Sequence, residues 1–335
     1  MSTWPADPRQ IADPFGEQAP LALSRSHVVM GAAVDFVSDS ADLLALADRA
    51  YAGLPAPACD GPPLTVELRL TPGGNRFDDA PPAARMLGGA GLLGAAVDGD
   101  HLALINPAAG RALVQVTTAL LRWPYHLRYE LIEFAVFTLV ARARRLAALH
   151  AGAVGLAGRG VLVMGASGAG KSTLAAQAMA LGLELLTEDA AFVEPDTLLA
   201  VGVPNFLHLR CDSVDVLDDA PLQARLRASP VIERRSGVRK FELDLRQAGG
   251  LTTAGPLRLE HLVFASPEPA GAGGLLQRLS ADETRARLHT SQPYAAGQPG
   301  WSAVLAGCAR LHGWALRRGR SPQEGALALR SLLMG

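Results

Sequence analysis

Gly165-Ala-Ser-Gly-Ala-Gly-Lys-Ser172 has the spacing G-x-x-x-x-G-K-[ST]. The buried-strand pattern Gly160-Val-Leu-Val-Met164 precedes it, and a helical pattern over Ser172–Leu181, ended by Gly182, follows. A strand, a glycine-rich turn and a helix in that order commit this part of the chain to an α/β architecture. The turn's N–H groups must close on an anion at the positive end of a helix that packs back on its own sheet. The spacing therefore predicts a site for a nucleoside triphosphate over Gly165, Ala166, Ser167, Gly168, Ala169, Gly170, Lys171, Ser172 and Thr173. Lys171 would reach the β- and γ-phosphates, and the Ser172 hydroxyl would be a ligand of Mg2+.

Beyond the helix, Leu183-Glu-Leu-Leu186 reads as a strand ending in Thr187-Glu188-Asp189. A crossover makes the two strands parallel, so Glu188 and Asp189 are expected on the same sheet edge as the phosphates. Two carboxylates there can divide labour: one, such as Asp189, orders the metal beside Ser172, and one takes the proton of an attacking hydroxyl. Which does which stays open at this point. His150 opens a strand Ala151–Leu156 that turns at Ala157-Gly158-Arg159. A hairpin centred on Gly158 would set His150 opposite Ala166, inside the loop.

The rest of the chain bounds the remaining classes. At 335 residues, two domains are expected: a smaller α/β part over 1–145 and a P-loop part over 146–335. Residues 1–25 are Pro-rich and irregular, and the N-terminus lacks the basic start and apolar run of a secretory signal. Strands are expected over His27–Val37, Leu64–Leu70, Leu102–Ile105 and Leu113–Val116, with a helix over Asp39–Tyr51 and a loop over Thr71–Pro82. A long helix is expected over Tyr125–Leu149, and further strands over Phe241–Leu245 and Leu257–Phe264. Ser280-Ala-Asp-Glu283 and Ser321-Pro-Gln-Glu324 mark helix starts. The formal net charge of -1 gives no global field for nucleic acid, and no apolar run approaches the ~20 residues of a membrane span. Cys59, Cys211 and Cys308 lack the spacing of a zinc site or disulfide framework and read as thiols of a cytoplasmic protein.

Leu149-His150-Ala-Gly-Ala-Val, Gly158 through Leu174 and Leu185-Leu-Thr-Glu-Asp189 together resemble the catalytic domain of HPr kinase/phosphorylase and its relatives. The likeness is specific over about 149–215, where Val203-Pro-Asn-Phe-Leu-His-Leu-Arg-Cys-Asp-Ser-Val-Asp215 looks like a stretch of the HPr-kinase-related proteins. It implies a P-loop kinase domain of the HPr kinase/phosphoenolpyruvate carboxykinase type, with a smaller N-terminal α/β domain. It implies an ATP- and Mg2+-dependent serine kinase in which His150 lies by the phosphates and the Glu188/Asp189 pair supplies base and metal contacts. The family pair is commonly Asp-Asp, whereas Glu188 is one methylene longer, and the glycine-rich signature of bifunctional members is not found after the pair. Some relatives phosphorylate serine on small peptides, so a peptide or small-protein acceptor is expected; a homo-oligomer is compatible with the pattern.

Two other readings stay open: a nucleotide-binding switch without transfer, and a kinase of a small-molecule hydroxyl. Composition singles out one more residue. Of 31 basic side chains only Lys171 and Lys240 are lysines, so Lys240 stands where a compact ammonium is retained in an arginine-rich chain, and it is a candidate catalytic residue.

Overall fold

The computed structural model describes residues 21–55, 59, 61–73, 77, 79–247, 252–253, 255–271 and 273–335. The sequence expectations for residues 1–20, and for 74–76 and 78 of the Thr71–Pro82 loop, lie outside the described residues.

The chain is a mixed α/β structure whose described residues form three sheets. The first takes β1 (Leu23–Val29), β2 (Ala32–Ser38), β3 (Leu64–Thr71), β4 (Arg85–Gly89), β5 (Leu92–Ala96), β6 (Leu102–Asn106) and β7 (Arg111–Thr117), in the order β1-β2-β3-β7-β6-β5-β4. Along β2, and over Leu64–Leu68 of β3, every second residue is buried, the period a half-covered strand requires. Helix α1 (Ala41–Tyr51), capped by the Ser40 hydroxyl accepting from the Leu43 N–H, buries Leu43, Leu44, Ala47 and Ala50 against this sheet. Strands β4 and β5 have no counterpart in the sequence reading, because their glycines and alanines carry little strand signal.

The long helix expected over Tyr125–Leu149 is shorter. Helix α2 runs as Pro124–His126, a wider π segment Leu127–Glu133, and Phe134–Ala143. Arg145 takes φ +55°, the Leu146 N–H bonds back to Ala141 and the Arg145 N–H to Arg142. That C-terminal capping motif stops the helix and frees 147–150 to become a strand.

The second sheet carries the glycine-rich turn. Its strands are β8 (Ala147–His150), β9 (Gly152–Leu156), β10 (Arg159–Met164), β11 (Glu184–Thr187), β12 (Ala190–Val193), β13 (Leu199–Val201), β17 (Leu257–Pro269), β18 (Leu276–Arg278) and β19 (His312–Arg318). They follow the order β11-β9-β10-β17-β13-β12-β8, with β19 beside β17 and β18 beside β19. Strands β10, β17 and β19 are parallel neighbours. β11 is antiparallel to β9, which is antiparallel to β10, so β11 and β10 end on the same edge. Both faces are covered. Val161 and Val163 pack with helices α3 (Lys171–Ala180) and α7 (Pro322–Met334), while Leu162 and Met164 face α5 (Ala281–Ser291) and α6 (Trp301–Cys308). Burying each such side chain contributes about 1.5–3 kcal/mol.

A third, three-stranded sheet, β14 (Phe206–Arg210), β16 (Arg239–Asp244) and β15 (Val231–Glu233), stands beside the first region, with helix α4 (Ala220–Ala228) leading into β15. The Arg246 guanidinium donates to the carbonyl oxygens of Ala52 and Arg49, and the Asn205 amide to that of Ala50. These donors satisfy the last carbonyls of α1. The core of the first sheet also takes in Phe192 and Val203, so the two halves of the chain share apolar contact. Among the described residues no helix is long and apolar enough to cross a membrane.

Candidate active site

Two glycines of the turn are fixed by geometry. A Cβ on Gly165 would meet the Ala265 carbonyl oxygen at 2.6 Å, and Gly170 enters α3 at φ +87°, where L side chains are strained. Lys171 begins α3, and its Nζ donates to the carbonyl oxygens of Gly165 at 2.7 Å and Ala166 at 3.4 Å. Burial lowers the Lys171 pKa; Asp189 and Glu188 push it back up, and the positive charge of Lys240 adds to the lowering.

A cavity of about 750 Å³ opens over this loop. Lys171, Arg210, Arg234, Arg235 and Lys240 line it against the carboxylates of Glu130, Asp189 and Asp212, so its walls favour an anion. The strand pairing sets Lys240 opposite Arg210 on β14 and Ile232 on β15. The β15–β16 turn brings Arg234 over the Tyr129 ring at 4.5 Å, and the next residue, Arg235, bonds Glu130 of α2 at 2.7 Å. Burial acts to lower the Arg234 pKa, but Tyr129, Tyr125 and Asp189 around it raise it on balance.

The two carboxylates at the end of β11 point to different places. Glu188 accepts the Ser172 hydroxyl at 2.6 Å on one oxygen; on the other it accepts the His208 Nδ1–H at 3.1 Å and the His208 backbone N–H at 3.3 Å. The far ring nitrogen of His208 lies 3.3 Å from Glu242. With an ionised carboxylate facing each ring nitrogen, the surroundings of His208 favour the imidazolium, in which both nitrogens donate. Its burial alone would lower the pKa, but the bonds to Glu188 and Glu242 outweigh that and raise it. Glu242 in turn binds Arg49 of α1 at 2.8 Å and Arg128 of α2. Burial opposes ionisation of Glu242, yet His208 and Arg128 bring its pKa down to about 2. A continuous chain of contacts thus runs from Ser172 through the buried Glu188, His208, Glu242 and Arg128 to the first region.

Asp189 faces the cavity instead. The Tyr129 hydroxyl donates to one oxygen at 3.0 Å, and His150 Nδ1 lies 3.2 Å from the other. Burial would raise its pKa; His150, Arg234 and Tyr129 overcome that and hold the carboxyl well below the usual carboxylate range.

The hairpin geometry expected for His150 is corrected. Ala157 and Gly158 form a two-residue turn with φ +51° and +79°, so Arg159 faces Leu156 and the register is displaced by one residue from a turn centred on Gly158. The strand also breaks at Ala151. His150 therefore belongs to β8 and faces Ala190, directly after Asp189, rather than Ala166. It nevertheless lines the cavity with Ala166, and Gln292 fixes its backbone through both N–H and carbonyl.

No protein-family model matches the chain, and no curated protein sequence does either. Among solved structures 45 chains are similar. One is the HPr(Ser) kinase/phosphatase from Coxiella burnetii, at 11% identity and a TM-score of 0.30, over 56% of this chain and 96% of that one.

The structure gathers Lys171, Ser172, Thr173, Asp189, His150 and Lys240 on one cavity, with Glu188 buried just behind Ser172. Sequence reasoning missed Tyr129, Arg234, His208 and Glu242. Tyr129 belongs to the first region and has no motif. His208 sits inside Phe206-Leu-His-Leu209, where a lone polar residue in an apolar strand was the one available signal. No group of three or more His, Cys, Asp or Glu side chains that could hold a metal occurs among the described residues.

Proposed function

We propose that this chain is an ATP-dependent kinase that transfers the γ-phosphoryl group to a serine hydroxyl of a peptide or small protein. In this reading residues 146–335 are the catalytic part, of the HPr kinase/phosphoenolpyruvate carboxykinase type, and residues 1–145 brace it. The carrying observation is the split of the acidic pair. Glu188 is committed to Ser172, while Asp189 is ionised at the cavity mouth. A switch that only binds nucleotide needs a carboxylate for the metal, whereas transfer to a hydroxyl also needs a proton acceptor such as the second.

The oxygens of Ser172 and Glu188 fit Mg2+, a hard cation that takes one or two protein ligands and completes its shell with phosphate and water. Bound there, it would neutralise charge on the phosphates. The turn's N–H groups and Lys171 would hold the phosphate chain, with Arg234 and Lys240 on the facing wall. Asp189 would accept the hydroxyl proton, with His150 and Tyr129 fixing its orientation. A low pKa is compatible with that task, because in a loose phosphoryl transfer the proton leaves late.

The test is incubation of wild type and Lys171→Ala with γ-labelled ATP, magnesium and a lysate of the source organism. Label on serine of a polypeptide, lost in Lys171→Ala, is the expected result. Label only in free phosphate would leave a nucleotide-hydrolysing switch, and label on a metabolite would move the acceptor to a small molecule.

A further inference from the structure

Resting on the peptide-kinase reading, we infer that the acceptor docks on the free edge of β4. An extended, apolar segment of the acceptor adds there as a further antiparallel strand of the first sheet, and its serine is carried on toward the cavity over the glycine-rich turn. Among the described residues β4 pairs with β5 alone, so one row of its backbone N–H and C=O groups has no strand beside it. The sheet treats its two edges differently. β1, at the other end, carries Arg25 and His27, both bound to Asp48 and alternating with Ser24 and Ser26. Charged side chains of that kind discourage pairing with another chain. β4 reads Arg85-Met-Leu-Gly-Gly89, with no proline and no charge beyond its first residue, and all five residues are exposed.

The edge is apolar on both faces. Met86 is 63% exposed and Leu87 49%. Met86 faces Ala95, on the core side of the sheet. Leu87 faces Gly94, which faces Leu104, and a Cβ on Gly94 would meet Leu104 at 3.2 Å and Leu87 at 3.3 Å. Glycine at 94 thus lets the two leucines close into an apolar shelf on the outer face. An added strand would have Met86 beside it on one face and Leu87 on the other, which favours apolar side chains at successive positions. The edge also leads to the transfer site. Pro81 is buried, and its carbonyl accepts from Arg235, which lines the cavity. The four residues from Pro81 to Arg85 span at most about 14 Å. Strands β4 to β7 pair antiparallel in succession, so an antiparallel acceptor continues their pattern and enters the cavity with its C-terminal side. Its serine is expected about four to eight residues beyond the docking segment.

The experiment compares wild type with Met86→Lys/Leu87→Lys, a change at two exposed positions. The probes are two synthetic peptides from the polypeptide that wild type labels with γ-labelled ATP. One holds the labelled serine with about fifteen residues before it, the other the same serine with about three before it. Wild type should use the long peptide about tenfold or more better in kcat/KM. The double variant should use the two alike and release free phosphate from ATP at the wild-type rate. Equal use of both peptides by wild type overturns the docking edge while the kinase reading stands. A preference for the long peptide that survives in the double variant places the docking elsewhere and also overturns it. Sedimentation and melting of the same two proteins read the other occupants. A wild-type dimer that the double variant loses would make the edge a contact between two copies. A melting temperature lowered by more than about 5 °C would mean that the edge is paired within its own chain. Either result overturns the inference. If wild type labels no polypeptide, the peptide-kinase reading itself falls and takes the docking edge with it.

Discussion

Glu188 and Asp189 are neighbours in the chain but occupy opposite surroundings. The Glu188 side chain is 4% exposed and locked in a line of charge, Glu188 to His208 to Glu242, which ends on both Arg128 and Arg49. The Asp189 side chain is 37% exposed and opens on the basic cavity. The difference arises in the bend between β11 and β12, where Glu188 turns back to Ser172 and His208 while Asp189 turns to Tyr129 and His150. One carboxylate is thereby tied into the protein and the other left to act on what enters. The buried line also gives the first region a role the sequence does not suggest, because Arg49 and Arg128 supply its terminal charges.

If that division is right, damage at the mouth removes chemistry and damage in the buried line removes stability. The largest effect is expected from Asp189→Asn. Losing a general base costs about a thousandfold in transfer rate, or roughly 4 kcal/mol on the barrier. Melting temperature and ADP affinity should barely move. A labelled-transfer assay beside a thermal melt checks both, and normal transfer by Asp189→Asn would reduce the residue to an acidic turn.

Glu242→Gln should do the reverse. It leaves Arg128 and the His208 imidazolium buried with one anion fewer, a loss of about 3 kcal/mol in stability by denaturant unfolding. ATP transfer by the protein that remains folded should fall far less than in Asp189→Asn. An unchanged denaturation midpoint would show that the buried line does not hold the two regions together.

The pH dependence sharpens the contrast. His208 has a raised pKa in the fold, so its stabilisation is full below the unfolded value of about 6.5 and is lost as pH rises through the folded value. Glu242 is lowered to about 2, so its contribution is present above the unfolded carboxylate range and is lost as pH falls toward 2. Wild-type melting temperature should therefore decline above the imidazole range. Asp189→Asn should keep that decline and His208→Gln should flatten it. A decline of the same slope in His208→Gln would assign it to another group.

What was legible in the sequence was local. The glycine-rich turn, the strand before it, the helix after it and the Ser280 capping box depend on residues close in the chain, and each appears within a residue or two of its expected bounds. The placement of Glu188 and Asp189 followed from one crossover. His150 shows the limit. Its register depended on whether Ala157 or only Gly158 turns the chain, a choice decided by a positive φ at an alanine. Tyr129, His208 and Glu242 come from three distant segments and meet the site through tertiary packing, which no spacing rule encodes. The Arg145 helix stop was hidden for a related reason, since the arginine there takes the left-handed conformation that a glycine would have announced.

The smallest expected effect is at Lys240, which composition alone brought forward. Its strand position turns it to the basic cavity, and its charge helps lower the pKa of Lys171, so the two lysines of the chain stand over one volume. The Lys240 ammonium has no hydrogen-bond or ion-pair partner among the described residues, unlike Arg210 with Asp212 or Arg235 with Glu130 on the same walls. An unpaired cation facing an anion site is suited to meet phosphate or an acidic acceptor directly. Arginine would keep the charge but spread it over a planar fork that needs more room between Arg210 and Ile232. Lys240→Arg is therefore expected to slow transfer about three- to tenfold, a barrier change of roughly 1 kcal/mol, and to shift melting by no more than about 1 °C. The measurement is the transfer rate at saturating ATP, where a deficit cannot come from weaker nucleotide binding. A wild-type rate there would make Lys240 an ordinary surface cation and leave the cavity's chemistry to Lys171, Arg234 and Asp189.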